Sequence, residues 1–147
     1  MESVEKSSKL IPSKVIGFKL PAMKFDINPN DTILYALGLG FNEDQLNTKH
    51  FRFTYELNDE FSVFPTYSCV IPIKNLVDLF NGCAGIPEFN MMTLLHGEEW
   101  LEIIKPLPTS GQLIYEMEFV DLEDKEKETF SAIGVREKEK EGGTYFL

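Results

Sequence analysis

Cysteine is almost missing from this sequence: Cys69 and Cys83 are the two residues of that type, and they form no Cys-x-x-Cys pair. A disulfide framework or a thiolate zinc site is thereby excluded as an organising principle, and two buried, reduced thiols are expected. Positive charge is short as well, with 14 Lys and Arg against 24 Asp and Glu, for a formal net charge of −10. Such a chain has no general attraction for nucleic acid or for an anionic membrane. An anionic ligand would need locally placed basic groups or backbone N–H donors. No run approaches the ~20 apolar residues of a membrane-spanning helix. Met1-Glu2-Ser3-Val4-Glu5-Lys6 holds two acids and no apolar core, which fits neither a secretory signal nor a mitochondrial presequence. The tripeptide Ser8-Lys9-Leu10 spells a peroxisomal address, but that address is read at a C-terminus, where Tyr145-Phe146-Leu147 stand. No Gly-x-Ser-x-Gly elbow occurs, and Gly38-Leu39-Gly40 ends a helical pattern rather than opening one, so it is no phosphate loop.

What is present suits one ring-rich domain. Hydrophobic residues make up 43% of the 147, and twelve Phe and five Tyr are among them. Residues 1–14 are polar and read as an N-terminal arm, with the domain proper over 15–147. From Val15 to Ile27 the pattern is extended, broken by Pro21. A helix follows: Asn28 is placed to cap it, Pro29 takes the first position, and Asp31 complements the positive end of the dipole. Ile33, Leu34 and Leu37 give it an apolar stripe, and Gly38 and Gly40 stop it. Residues 41–62 read as loop with short elements. Phe64 to Ile71 reads as a strand between Pro65 and Pro72, and Asn75 to Phe80 as a short helix ended at Gly82. Residues 83–92 are loop-like, and Glu98 to Ile104 alternates loosely.

The clearest alternation comes late. Leu113, Tyr115, Met117 and Phe119 interleave with Ile114, Glu116 and Glu118, the mark of a half-buried strand. Thr129 to Val135 is a weaker strand, and the charge-dense run from Lys125 to Lys140 reads as a solvated face or hairpin. The sum is α+β, an antiparallel sheet with one or two helices. Gly142-Gly143-Thr144-Tyr145-Phe146-Leu147 is a turn signal followed by the beginning of a strand. The expectation is that the domain is truncated at its C-terminus or that a partner covers that end.

Several blocks together carry a resemblance. They are Asp31-Thr32-Ile33-Leu34-Tyr35-Ala36-Leu37-Gly38-Leu39-Gly40, Phe51-Arg52-Phe53-Thr54-Tyr55-Glu56 and Phe64-Pro65-Thr66, followed by Leu95-His96-Gly97-Glu98-Glu99-Trp100-Leu101-Glu102 and Lys105-Pro106-Leu107-Pro108-Thr109-Ser110-Gly111. In order and spacing, from about Phe18 to Lys125, the chain resembles the N-terminal hot-dog half of the eukaryotic (R)-specific 2-enoyl-CoA hydratases of the MaoC-like group. The resemblance implies a hot-dog fold, an antiparallel sheet wrapped around a short helix. It also implies an enzyme of two hot-dogs that adds water across a trans-2-enoyl-CoA to give a (3R)-hydroxyacyl-CoA in fatty acid β-oxidation. The first half accommodates the acyl chain, and the second carries an Asp-x-Asn-Pro-x-His motif whose acid and base bracket the water. The coenzyme A thioester is the substrate and no further cofactor is implied. Partners implied are acyl-CoA and a catalytic hot-dog, fused or separate, a dimer being one such arrangement, with no nucleic acid and no membrane. A peroxisomal location follows from the resemblance, although no targeting signal is read in this chain.

No catalytic residue is assigned here. Asp26-Ile27-Asn28-Pro29-Asn30-Asp31 matches Asp-x-Asn-Pro but puts a carboxylate where the imidazole belongs, and a second acid supplies no base titrating near neutral pH. Asn28 and Pro29 already serve the helix start. The resemblance implies substrate contacts at His96, Gly97 and Lys125. Gly97 would let the thioester or pantetheine approach the backbone, His96 would offer a ring donor or stacking surface, and Lys125 would meet a phosphate as a point charge. The plainer readings are a structural hydrogen bond for His96 and an ion pair with Asp121 or Glu123 for Lys125. His50 reads as a surface-loop residue, and Glu98, Glu99 and Glu102 as solvent-facing or turned to a second half. The acyl tail is expected against apolar residues of 29–38 and 64–71. Two other functions stand beside this one. One is a hot-dog subunit for structure or interaction that binds no ligand. The other is a hot-dog thioesterase, for which Asp31 is the only, and poor, acid near the helix.

Overall fold

A computed structural model describes residues 5–44, 46–125, 129–139 and 143–146. Among the described residues four strands make one antiparallel sheet in the order β1-β2-β3-β4: β1 Met23–Ile27, β2 Gly111–Asp124, β3 Thr129–Glu139 and β4 Gly143–Phe146. Strand β2 is the spine. It pairs with β1 from Met23↔Tyr115 to Ile27↔Gly111, and with β3 from Leu113↔Glu139 to Asp124↔Thr129, with a bulge between Phe119 and Asp121. Its alternation sends Leu113, Tyr115, Met117 and Phe119 to one face, where all four are buried.

That face is covered by the segment between β1 and β2. The 3-10 segment Pro65–Val70 and the helix Ile73–Gly82 lie on it, contributing Tyr67, Ile71, Leu79, Phe80 and Cys83 to a core that also takes Val15, Ile86, Leu107 and Val135. Each such side chain contributes roughly 1.5–3 kcal/mol by leaving water. Phe80 meets Phe119 edge-on at 5.2 Å. The stretch 64–71 is thus a correction. A short apolar run between prolines reads as a strand, but Phe64 to Ile71 winds into 3-10 turns, because Pro65 fits the first position of a helical turn and Tyr67 and Ile71 then point together onto the sheet. Glu98 to Ile104 forms no strand either.

Among the described residues the α-helices are α1 Pro12–Val15, α2 Pro29–Gly38, α3 Phe51–Thr54 and α4, the Ile73–Gly82 helix. At the head of α2, Asn28 accepts from the Asp31 N–H at 3.0 Å and donates to the Asp31 carboxylate at 2.8 Å, so the capping role is real. Its buried residues are Thr32 and Ala36, not the Ile33-Leu34-Leu37 stripe, and Leu34 is left 69% exposed. Residues 6–11, read as an arm, lie along the end of α4. Lys6 Nζ donates to the Phe80 and Cys83 carbonyls at 2.6 and 3.1 Å, satisfying orphan acceptors where the helix ends. Gly85 lets α1 approach closely, since a Cβ there would come within 2.8 Å of the Lys14 and Val15 side chains. Cys83 is buried, Cys69 is half-buried, and both are free thiols. Among the described residues no helix is long and apolar enough to cross a membrane.

Candidate functional site

His96 and Gly97 lie on an extended, exposed stretch between the 3-10 turn Met91–Thr93 and β2. His96 Nε2 is 2.8 Å from a Glu99 carboxylate oxygen, so the ring is oriented by a local acid while remaining open to solvent. A Cβ added to Gly97 would meet nothing within 4 Å, which leaves the backbone there approachable. The same stretch exposes large apolar side chains: Met92, Leu95, Trp100 and Ile104 are all more than half accessible. Glu99 also faces Cys69. Burial pushes the Cys69 thiol up from its ordinary value, and Glu99 and Glu137 push it further, so it is held as a thiol rather than a reactive thiolate.

Lys125 follows the last residue of β2. Its ammonium is 3.2 Å from Glu123, in the acidic run that offered such a partner. His96 and Lys125 therefore each have a carboxylate of their own. The two acids of the Asp-x-Asn-Pro segment have structural work: Asp26 accepts from Gln112 at 2.9 Å, and Asp31 closes the cap of α2. His50 is half-buried, accepting the Asn42 N–H at Nδ1 (2.9 Å) with Phe41 packed edge-on at 5.2 Å. Among the described residues no cluster of His, Cys, Asp and Glu could hold a metal ion.

One buried acid lies outside the sequence reading. Glu137, in the run read as a solvated face or hairpin, is on the covered side of β3 at 1% exposure. Neither carboxyl oxygen has a hydrogen-bond partner of normal geometry. Burial pushes its pKa up from 4.5 to about 8, and the nearby Ser68 hydroxyl pulls slightly the other way. The signal was present: Ile133, Val135 and Glu137 continue a period of two on one face of β3. Across the ladder Tyr115 donates to Asn75 Oδ1, and Asn75 donates to Asp78 at 3.1 Å.

On the covered face of the sheet Ile71, Leu79, Leu113 and Phe119 have no accessible surface, so among the described residues no groove opens between these four side chains. Apolar surface is instead available on the outer side of α2, at Leu34, Leu37 and, just after it, Leu39. The 3-10 segment adjoins it, with the Tyr35 hydroxyl bonded to Thr66 and the Tyr35 and Tyr67 rings 5.3 Å apart.

Comparison with known proteins gives a consistent result. The family model described as the MFE-2 hydratase 2 N-terminal domain matches residues 25–146. Probable enoyl-CoA hydratase 2 of Dictyostelium discoideum is 36% identical over 131 residues, covering 88% of this chain and 42% of that protein. Peroxisomal multifunctional enzyme type 2 of Mus musculus is 38% identical over 112 residues, covering 75% of this chain and 15% of that one. A MaoC-like dehydratase from Phytophthora capsici superposes with a TM-score of 0.77 at 26% identity, over 93% of this chain and 47% of that chain. The chain therefore spans less than half the length of each of these relatives.

Proposed function

The chain belongs to the MFE-2 hydratase 2 N-terminal domain family, and on that premise we propose that it is the acyl-CoA-binding half of an enoyl-CoA hydratase. It takes trans-2-enoyl-CoA of fatty acid β-oxidation and leaves the addition of water to a catalytic hot-dog. The observation that carries this reading is the exposed stretch 92–104, where His96 and the open backbone at Gly97 stand among Met92, Leu95, Trp100 and Ile104. Large apolar residues exposed along one stretch favour a protein partner, and the greater length of the relatives supports a second domain as that partner.

In this proposal the acyl tail lies on the outer side of α2 against Leu34, Leu37 and Leu39. The pantetheine runs past Gly97, His96 donates to or stacks on it, and Lys125 meets a phosphate. Hydration of an enoyl thioester consumes only water, so no further cofactor belongs to the proposal. Asp26 is engaged by Gln112 and Asp31 by the cap of α2, and in this proposal neither supplies acid or base to the reaction. A peroxisomal location is part of the proposal, supported by relatives named as peroxisomal enzymes.

The filled sheet face favours a second reading, a hot-dog subunit that binds no ligand. Calorimetric titration with decanoyl-CoA separates the two. Saturable heat at one ligand per chain supports the first reading, and its absence, with the chain folded by circular dichroism, supports the second.

A further inference from the structure

Glu137 is a carboxylic acid set into the core without a partner. It is 1% exposed, and among the described residues neither oxygen has a hydrogen bond of normal geometry. The groups around it come from several elements. Tyr115 stands across the ladder on β2, with Asn75 and then Asp78 of α4 behind its hydroxyl. Ser68 and Cys69 lie near it on the 3-10 segment Pro65–Val70, and Tyr145 is its register partner on β4. Beyond Cys69 is Glu99, in the stretch 92–104. None of these groups is a cation, so an ionised Glu137 is a buried charge without compensation.

A carboxyl so placed has two ways to avoid that state. The first is to keep its proton, and burial does hold Glu137 well above the usual range, at about 8. Once pH passes that value, the second is to admit water. The β2–β3 ladder resists this, since Glu137 lies within a continuous run of pairs from Leu113↔Glu139 to Phe119↔Ile133. The 3-10 segment yields more easily, because turns of that kind are held by hydrogen bonds of poorer geometry. Movement there carries a second element with it. The Cys69 thiol donates to the Glu99 carboxylate, and a Glu99 oxygen is 2.8 Å from His96 Nε2. His96 and its neighbours are therefore tied to the segment that covers Glu137.

We propose that Glu137 is a pH-sensitive latch: its protonated carboxyl keeps the segment Pro65–Val70 closed on the sheet, and loss of the proton to solvent releases that segment together with the stretch 92–104. The closed form is complete at low pH and is lost as pH rises. The latch rests on Glu137, Cys69 and Glu99, and holds whether or not the stretch meets acyl-CoA.

The two thiols of the chain supply the test. Cys69 is half-buried on the segment that moves, and Cys83 is fully buried at the end of α4, where it reports opening of the core. The full chain, as wild type and as Glu137→Gln, is labelled with iodoacetamide at pH 7 and pH 9, and each thiol is followed by mass spectrometry of its peptide. Electrostatics alone and the latch predict opposite signs. With the segment closed, an ionised Glu137 suppresses the neighbouring thiolate, so wild-type Cys69 reacts more slowly than in Glu137→Gln at pH 9. With the latch open, wild-type Cys69 reacts faster than in Glu137→Gln at pH 9, on the order of 10-fold, the equivalent of one pKa unit of coupling. That excess should be larger at pH 9 than at pH 7, and Cys83 should stay slow in both proteins. Glu137→Leu takes the place of Glu137→Gln if the latter does not fold. Equal or slower labelling of wild-type Cys69 at pH 9, an excess no larger at pH 9 than at pH 7, or Cys83 labelling that rises in step with Cys69 overturns the latch.

Discussion

Glu137 stands directly across the β2–β3 ladder from Tyr115, and the two side chains share the covered face of the sheet at 1% and 3% exposure. The phenol has a partner in Asn75; among the described residues the carboxyl has none of normal geometry. Burial pushes the Tyr115 hydroxyl up, and Glu137 and then Asp78 add to that shift. The sign of the linkage follows from the Glu137 carboxyl, whose pKa rises from 4.5 to about 8 on folding. The folded state holds this proton more tightly than the unfolded chain, so the stability it contributes is complete below 4.5 and is lost as pH climbs through 8. A separation of this size corresponds to something on the order of 5 kcal/mol. Urea denaturation at pH 5, 7 and 9 should show the midpoint falling steadily in the wild type. Glu137→Gln should flatten that fall; an equal fall in both proteins would remove Glu137 as its cause.

The cap of α2 gives a second expectation. Asn28→Ala loses the bond to the Asp31 N–H and should cost about 1 kcal/mol, whereas Asn28→Ser should recover most of it. Thermal melts followed by circular dichroism measure both. No change in the alanine variant would mean that the start of α2 is held by something other than this cap.

Leu79 is fully buried in α4 against the sheet. Leu79→Ala should destabilise the chain by about 2–5 kcal/mol, read as a lower urea midpoint with an unchanged slope. Leu34→Ala on the outer side of α2, 69% exposed, should leave stability nearly unchanged and weaken decanoyl-CoA. Reversal of that pattern would contradict the packing described for α2 and α4.

Trp100 is the only tryptophan in the chain and is 69% exposed, which makes it a native probe of docking. Addition of a hot-dog domain bearing Asp-x-Asn-Pro-x-His should shift its fluorescence to the blue as the ring leaves water. Trp100→Ala should weaken that association by at least ~10-fold, as buried aromatic anchors do, with little effect on folding. Co-elution that is indifferent to Trp100 would place the partner elsewhere.

The parts of this fold that were legible are those in which a local rule and the tertiary structure agree. Strand β2 declared itself because Leu113, Tyr115, Met117 and Phe119 keep a strict period of two against a single buried face. Helix α2 declared its beginning through Asn28 and Pro29. Its buried face was misread because Thr32 and Ala36, small enough for close approach, are what it packs inward, while the larger leucines stay outside. The segment 64–71 was misread because a short apolar run bounded by prolines carries no period long enough to separate strand from 3-10 turn. Glu137 was hidden by its neighbours: a dense run of charge reads as solvated, and the register that buries one member of it depends on pairing with β2. His96 and Gly97 were legible only through the resemblance of the surrounding blocks.

The most direct test follows the enoyl absorbance of trans-2-decenoyl-CoA with this chain alone and then with a catalytic hot-dog carrying Asp-x-Asn-Pro-x-His added. The account predicts no enzymatic loss of absorbance with the chain alone, and hydration faster than the added domain achieves by itself once both are present. Hydration at an enzymatic rate by the isolated chain, or no gain from combining the two, would contradict it.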